Sequence, residues 1–172
     1  MSFTADIRLL LIRELDGLSR EVGQFPDDDW LWATRTGVTN SAGNLALHVA
    51  GNLQHFVGAL LGQTGYVRDR DAEFSTQSGT RESVQRELQR AADAVAGTLE
   101  RLDPSTLTEP MPGTPADMVI PTERFLLQLV AHAAFHLGQV GYLRRIVCGD
   151  PTSTNPIPLG VLADDTLSHR RG

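Results

Sequence analysis

The sequence predicts an all-α protein: a four-helix bundle of the up-and-down kind, with long loops between its helices. Three observations carry that expectation. Four segments repeat apolar residues at spacings of three and four, no stretch sustains a period of two, and the four segments match in length. At 1.5 Å per residue, helices of roughly 20 to 27 residues run about 30 to 40 Å, and equal lengths suit a bundle.

The first segment carries Ile7, Leu11, Leu15, Leu18 and Val22 on one face, and Gly23 and Pro26 close it. Its short run "LLLI" sits among Arg8, Arg13, Glu14 and Asp16, with no basic leader or small-residue cleavage site. That pattern reads as an amphipathic helix rather than a signal peptide. Trp30 and Trp32, in "DDDWLWATR", are large enough to plug one end of a bundle. The second segment runs from Ser41, a good N-cap, to Leu61, with Gly62 as its stop. The third opens after Gly79, where Thr80 can cap and Glu82 suits the positive end of the helix dipole. Its stripe is Val84, Leu88, Ala91, Val95, Leu99 and Leu102, ahead of Pro104. The fourth begins near Pro121-Thr122 and reaches Cys148, where Gly149 and Pro151 end it.

Two connections are long for a bundle. "GQTGYVRDRDAEFSTQSG" joins the second and third helices, and "DPSTLTEPMPGTPADMVIP", with five prolines, joins the third and fourth. Loops of that length usually carry function or cover an opening. The expected division is a bundle over residues 1–150 and a tail over 151–172. The tail is rich in Pro, Thr and Ser, and is either free or packed on a neighbouring subunit.

Composition narrows the function classes. With 172 residues the chain can bury a substantial core as one domain. A net charge of −6 and a pI near 5.3 oppose phosphate-backbone binding, so no nucleic-acid partner is expected. Arg144-Arg145 and Arg170-Arg171 are too short to reverse that. No segment approaches the ~20 uncharged apolar residues of a membrane span, so no membrane partner is expected either. The single cysteine, Cys148, rules out an intrachain disulfide and a Cys-rich zinc module, and points to a reducing cytoplasm.

The chemistry lies in two inward seams. In "VAHAAFHLGQVGYLRR", His132 and His136 fall in the series Phe125, Leu129, His132, His136, Val140, Leu143 and Val147. Imidazoles at i and i+4 stack on one helix face, near enough to hold a single ion. In "NLALHVAGNLQHFV", Leu45, His48, Asn52, His55 and Ala59 share a face of the second helix. If both seams face inward, His48 meets His132 and His136 near the bundle centre. Three neutral imidazoles with one open position make a catalytic-type site for Zn²⁺ or Ni²⁺. The competing reading is a set of hydrogen-bonded core histidines. Ala133 stands where a zincin needs its glutamate, which rejects metalloprotease activity. Haem fits poorly, because i,i+4 ligands lie on one side of an iron and no CxxCH is present.

These two motifs together resemble the DinB/YfiT-like superfamily, and the resemblance covers nearly the whole chain. "RDRDAEF" looks like a little-characterised branch of it, and Gly138-Gln139 match the "GQ" after the second histidine of the pair. The resemblance implies a four-helix bundle whose divalent ion is held by His48, His132 and His136. It also implies thiol-dependent chemistry, such as transfer of a low-molecular-weight thiol or a mycothiol-dependent isomerisation. A cation on three neutral imidazoles can stabilise a thiolate or acidify a water. Leu137 stands where many relatives carry a basic or polar residue, so the resemblance reaches the metal triad and not the substrate contacts around it.

Weaker candidates surround the triad. Asn52 and His55 either orient substrate or support the ligands, or His55 is simply half-exposed at the bundle mouth. Glu73 belongs to a solvated charge run with Arg68, Asp69, Arg70 and Asp71, or tucks into the site as a proton acceptor. Gln139 bonds within the core or to a ligand histidine. Cys148 is too far along its helix to join the site, and His169 lies in the tail. The expected function is a cytoplasmic metal-dependent enzyme, of transferase or hydrolase type, acting on a small molecule and using a thiol. The alternative is a non-enzymatic, stress-related bundle with a structural or vestigial histidine site, acting by association with itself or a partner. A homodimer is expected by resemblance.

Overall fold

The computed structural model describes residues 2–114, 116 and 118–163. His169 and Arg170-Arg171 of the sequence reading lie outside them. The described residues are helical and contain no strand, only an isolated bridge between Pro110 and Pro121. Six α-helices follow in order: α1 (Phe3–Gly23), α2 (Asp28–Trp32), α3 (Ala42–Leu53), α4 (Arg70–Ser75), α5 (Arg81–Arg101) and α6 (Thr122–Cys148). Among the described residues, no helix is long and apolar enough to cross a membrane.

The apolar stripes become the core. On α1, Ile7, Leu11, Leu15, Leu18 and Val22 are at most 2% exposed, each burial worth about 1.5–3 kcal/mol. Val84, Leu88, Ala91, Val95 and Leu99 of α5 are buried as well. So are Phe125, Leu129, Val140, Leu143 and Val147 of α6. Both α1 and α3 pack against α5 and α6, which places the core between these four long helices. The helix starts are capped as the sequence demands. Ser41 Oγ accepts from Asn44 N–H, and the Asn44 side chain accepts in return from Ser41 N–H, at 3.1 and 3.2 Å. Thr80 Oγ1 caps α5 by accepting from Ser83 N–H at 3.1 Å.

The second predicted helix is continuous but changes character. Beyond Leu53 it widens into a π-helical segment, Gln54–Leu61, with i→i+5 bonds. The 100° step of an α-helix no longer holds there, and half-buried His55 is the second residue of this segment. Trp32 closes one end, its indole N–H donating to Gly79 O at 2.7 Å, whereas Trp30 is exposed.

The two long connections and the described part of the tail pack on the helices. Between the π segment and α5 the chain forms α4 against α3. Asn44 side-chain N–H groups bond Glu73 O at 3.0 Å and Thr76 O at 2.7 Å, which pins α4 to α3. The proline-rich connection folds back on itself, with Met111 N–H bonding Ile120 O at 2.8 Å. The described part of the tail lies on its own chain. Arg20 donates to Pro156 O at 2.9 Å, and Thr154 donates to Glu21 at 2.6 Å.

Candidate metal centre

Helix α6 supplies His132 and His136 one turn apart, and α3 supplies His48 from across the core. Their three rings converge. His132 Nε2 lies 3.2 Å from His48 Nε2 and 3.1 Å from His136 Nε2. One ligand atom from each falls within 4.8 Å of the others. The rings stand edge to face, with interplanar angles of 79°, 85° and 87°. Four-coordinate zinc with bonds near ~2.05 Å spaces its ligands by roughly 3.3 Å, close to the two contacts above.

The outer nitrogens explain why the inner ones face each other. The Glu73 carboxylate can only accept, so His48 Nδ1–H donates to its Oε2 at 2.9 Å, with Arg68 Nη2 3.2 Å from the same nitrogen, and His136 Nδ1–H donates to Gln139 Oε1 at 2.7 Å. A neutral imidazole has one N–H, so these bonds leave Nε2 of both histidines as bare lone pairs. Only His132 is left to bring a proton between three inward acceptors, and one proton bridges one pair. Such a donor set is unfavourable when empty and well suited to a cation.

Electrostatics keeps His132 and His136 neutral. Burial pushes His132 down to about 4, and the neighbouring His136, His48 and Arg68 add to that. His136 is lowered too, chiefly by burial, with the Gln139 bond working the other way. Neutral imidazole is the form that binds metal.

Glu73 is held in place from three sides. Arg68 grips it in a fork, Nε to Oε1 at 2.7 Å and Nη2 to Oε2 at 2.8 Å. Burial raises its carboxyl, but the hydrogen bonds from Arg68 and His48 outweigh this and bring it below the usual range. Phe74, the next residue, packs its ring 4.8 Å from that of His48. The room comes from Gly51 on α3, where a Cβ would collide with Glu73 Oε1. Glu73 therefore sits behind His48, orienting it.

The remaining sequence candidates divide. Gln139 bonds a histidine of the cluster. Asn52 is buried one turn from His48, and its Oδ1 has no partner among the described residues. His55 is half-buried and stays outside the three converging rings, lowered first by burial and then by Arg68. Cys148 is likewise outside. Sequence reasoning missed Gly51 and Arg68. Gly51 has no local signal, since its need arises from a residue 22 positions away, and Arg68 is concealed in a run of alternating charges.

A cleft of about 440 Å³ opens beside the cluster, walled by His136, Gln139, Tyr142 and Ile146 of α6. Leu45 and the segment Gly37–Asn40 form its other side.

The chain is thus an all-helical protein with a three-histidine cluster fit for a divalent cation. Residues 5–161 match the family described as "Protein of unknown function (DUF1572)", and the chain belongs to it. Its fold is similar to that described as "Crystal structure of the conserved protein of locus from Enterococcus faecalis". That likeness has a TM-score of 0.71 at 16% identity, covering 87% of this chain and 99% of the other. At that identity it concerns the fold alone. No curated protein matches the chain.

Proposed function

We propose that this is a metal-dependent enzyme of the DinB-like kind, an up-and-down four-helix bundle that holds one divalent ion, Zn²⁺ or Ni²⁺, on His48, His132 and His136. The observation that carries the reading is the set of three Nε2 atoms turned toward one point, with Glu73 and Gln139 holding outer protons away from it. Once bound, such a cation supplies a positive charge that lowers the pKa of a thiol or water.

The chain's own residues do the rest. Glu73, backed by Arg68, fixes the tautomer and angle of His48, and Gln139 does so for His136. The cleft beside His136 admits a small substrate and presents apolar walls from Leu45, Tyr142, Leu143 and Ile146. The reaction class is transfer or hydrolysis on a small molecule, with a low-molecular-weight thiol as co-substrate. The cleft favours this over a purely structural histidine site, which needs no access.

The test is elemental analysis of untagged protein beside a His132→Ala variant. About one equivalent of zinc or nickel per chain, lost in the variant, is expected and would justify screening thiol-transfer substrates. Protein that carries no metal and takes none up on addition would sink the reading.

A further inference from the structure

The cleft beside the cluster starts one helical turn from it on both walls. Leu45 precedes His48 on α3, Gln139 follows His136 on α6, and both line the cleft. From His136 it follows α6 as far as Ile146, about 15 Å at 1.5 Å per residue. Leu45 and Leu143, 5% and 6% exposed, form an apolar floor. Among the described residues its lining holds no Asp, Glu, Lys or Arg, although the charged residues make up 21% of the chain. Arg70 and Asp71 stand together in the next groove, beyond Asn40, and their opposite charges offset each other. A charged group lying along these walls loses water without meeting a counter-charge, which is costly.

One polar group in this wall has a fixed orientation. A His136 that offers Nε2 to a cation carries its proton on Nδ1, and the acceptor for that proton is Gln139 Oε1 at 2.7 Å. The carboxamide is thereby held against flipping. What Gln139 has left for a ligand is the pair of N–H groups on its Nε2, which bond no protein atom among the described residues. A pair of donors selects an acceptor oxygen, and a carbonyl is the neutral group that accepts without donating.

We infer that the cleft takes an uncharged carbonyl compound, an ester or amide with an apolar acyl or alkyl part, and that Gln139 selects it by donating to the carbonyl oxygen. The inference rests on the metal-dependent transferase or hydrolase reading above and names its substrate class. The apolar part lies along Leu45, Leu143 and Ile146, where burial supplies the affinity. The Gln139 hydrogen bond sets which end of the molecule points at the cluster. Because the same carboxamide also orients His136, substrate recognition and ligand geometry share one side chain.

A ketone tests the acceptor without being consumed. Benzylacetone carries an apolar ring and one carbonyl oxygen, and its ammonium analogue keeps the skeleton but puts a charged donor in place of the carbonyl. Binding of each to the zinc-loaded full chain is followed by ligand-observed NMR titration, with zinc content measured on the same samples. Benzylacetone is expected to bind about fivefold more tightly than the analogue, with nuclear Overhauser contacts to the Tyr142 ring. Gln139→Glu keeps an acceptor for His136 but exchanges the donors for a negative charge. It is expected to hold the same zinc, to bind benzylacetone about fivefold more weakly, and to reverse the preference in favour of the ammonium. The position is exposed and Glu is a good helix former, so the variant folds, which circular dichroism confirms. A zinc-bearing chain that binds neither probe, binds both equally, favours the ammonium or ignores Gln139→Glu overturns the inference and leaves the metal site standing. So does benzylacetone bound away from Tyr142. A chain that takes up no zinc removes the metal reading and this inference with it.

Discussion

Gly51 and Glu73 occupy the same small volume, the glycine by giving up a side chain and the glutamate by filling the space behind His48. An alanine at 51 collides with Glu73 Oε1, which Arg68 and His48 hold in place. Gly51→Ala should therefore displace the carboxylate, while gaining about 0.5–1 kcal/mol of helix propensity. Its expected signature is a fall in metal affinity of about 10–100-fold with a melting temperature little changed. Glu73→Gln should show a similar loss of affinity, because Gln retains an acceptor for His48 but not the charged fork to Arg68. Competition against a chelator of known affinity measures both. Unaltered affinity in both variants would mean that Glu73 does not support the site.

The cluster also predicts how the metal-free protein responds to acid. In the folded state His132 titrates near 4, against about 6.5 in an unfolded chain. Between those values the unfolded chain binds a proton that the native state refuses, so stability rises with pH across this window. It is fully present above 6.5, falls as pH drops, and stops falling from this source below about 4. His136, lowered in the same direction, adds to the slope. Urea denaturation of chelator-treated protein should give a midpoint that declines from pH 7 to 5, and His132→Leu should flatten the decline. A variant with an undiminished slope would assign the acid sensitivity to other groups.

Trp32 and Gly43 form a second tight pair. A Cβ on Gly43 would lie 2.7 to 2.9 Å from three atoms of the Trp32 ring, closer than real contacts allow. The ring cannot swing away freely, because its N–H is tied to Gly79 O. Gly43→Ala is expected to destabilise the protein by about 1–2 kcal/mol, the overpacking strain exceeding the gain in helix propensity. Chemical denaturation followed by tryptophan fluorescence reads the change directly. No loss of stability would show that α2 can shift off α3 at little cost.

Periodicity made the long helices and their buried faces legible, because a stripe at spacings of three and four has one way to hide from water. It also placed His48, His132 and His136 on inward seams, and their convergence follows once α3 and α6 pack together. What stayed illegible depends on contacts between residues distant in sequence. Glu73 reads as part of a solvated charge run until α4 folds onto α3 and Gly51 opens a place for it. The widening of the helix at Gln54–Leu61 has no signal in the sequence, because Phe56, Val57, Leu60 and Leu61 continue the spacing of three and four. The tail's position on α1 and α6 was equally hidden, since it rests on a buried ion pair whose two members are 123 positions apart.

That pair is Glu21 and Arg144, both at most 1% exposed and joined at 2.6 Å. Arg144 also donates to Thr152 O, and Glu21 accepts from Thr154, so the same two charges strap the tail across α1 and α6. Removing Glu21 leaves the buried Arg144 only the half-exposed Asp150, 3.6 Å away, as a counter-charge, and breaking a buried pair typically costs 3–5 kcal/mol. Glu21→Ala should therefore lower stability by about that amount and free the chain after Asp150 to proteolysis. Replacing both with Leu and Met should recover much of the stability, since a packed apolar pair carries no desolvation penalty. It should not restore protection of the tail, because the hydrogen bonds to Thr152 and Thr154 are gone. Thermal denaturation and limited proteolysis of the two variants separate these contributions. A Glu21→Ala variant that stays stable yet is cleaved would make the pair a tail clamp alone. One that melts early with its tail still protected would make it a core element only.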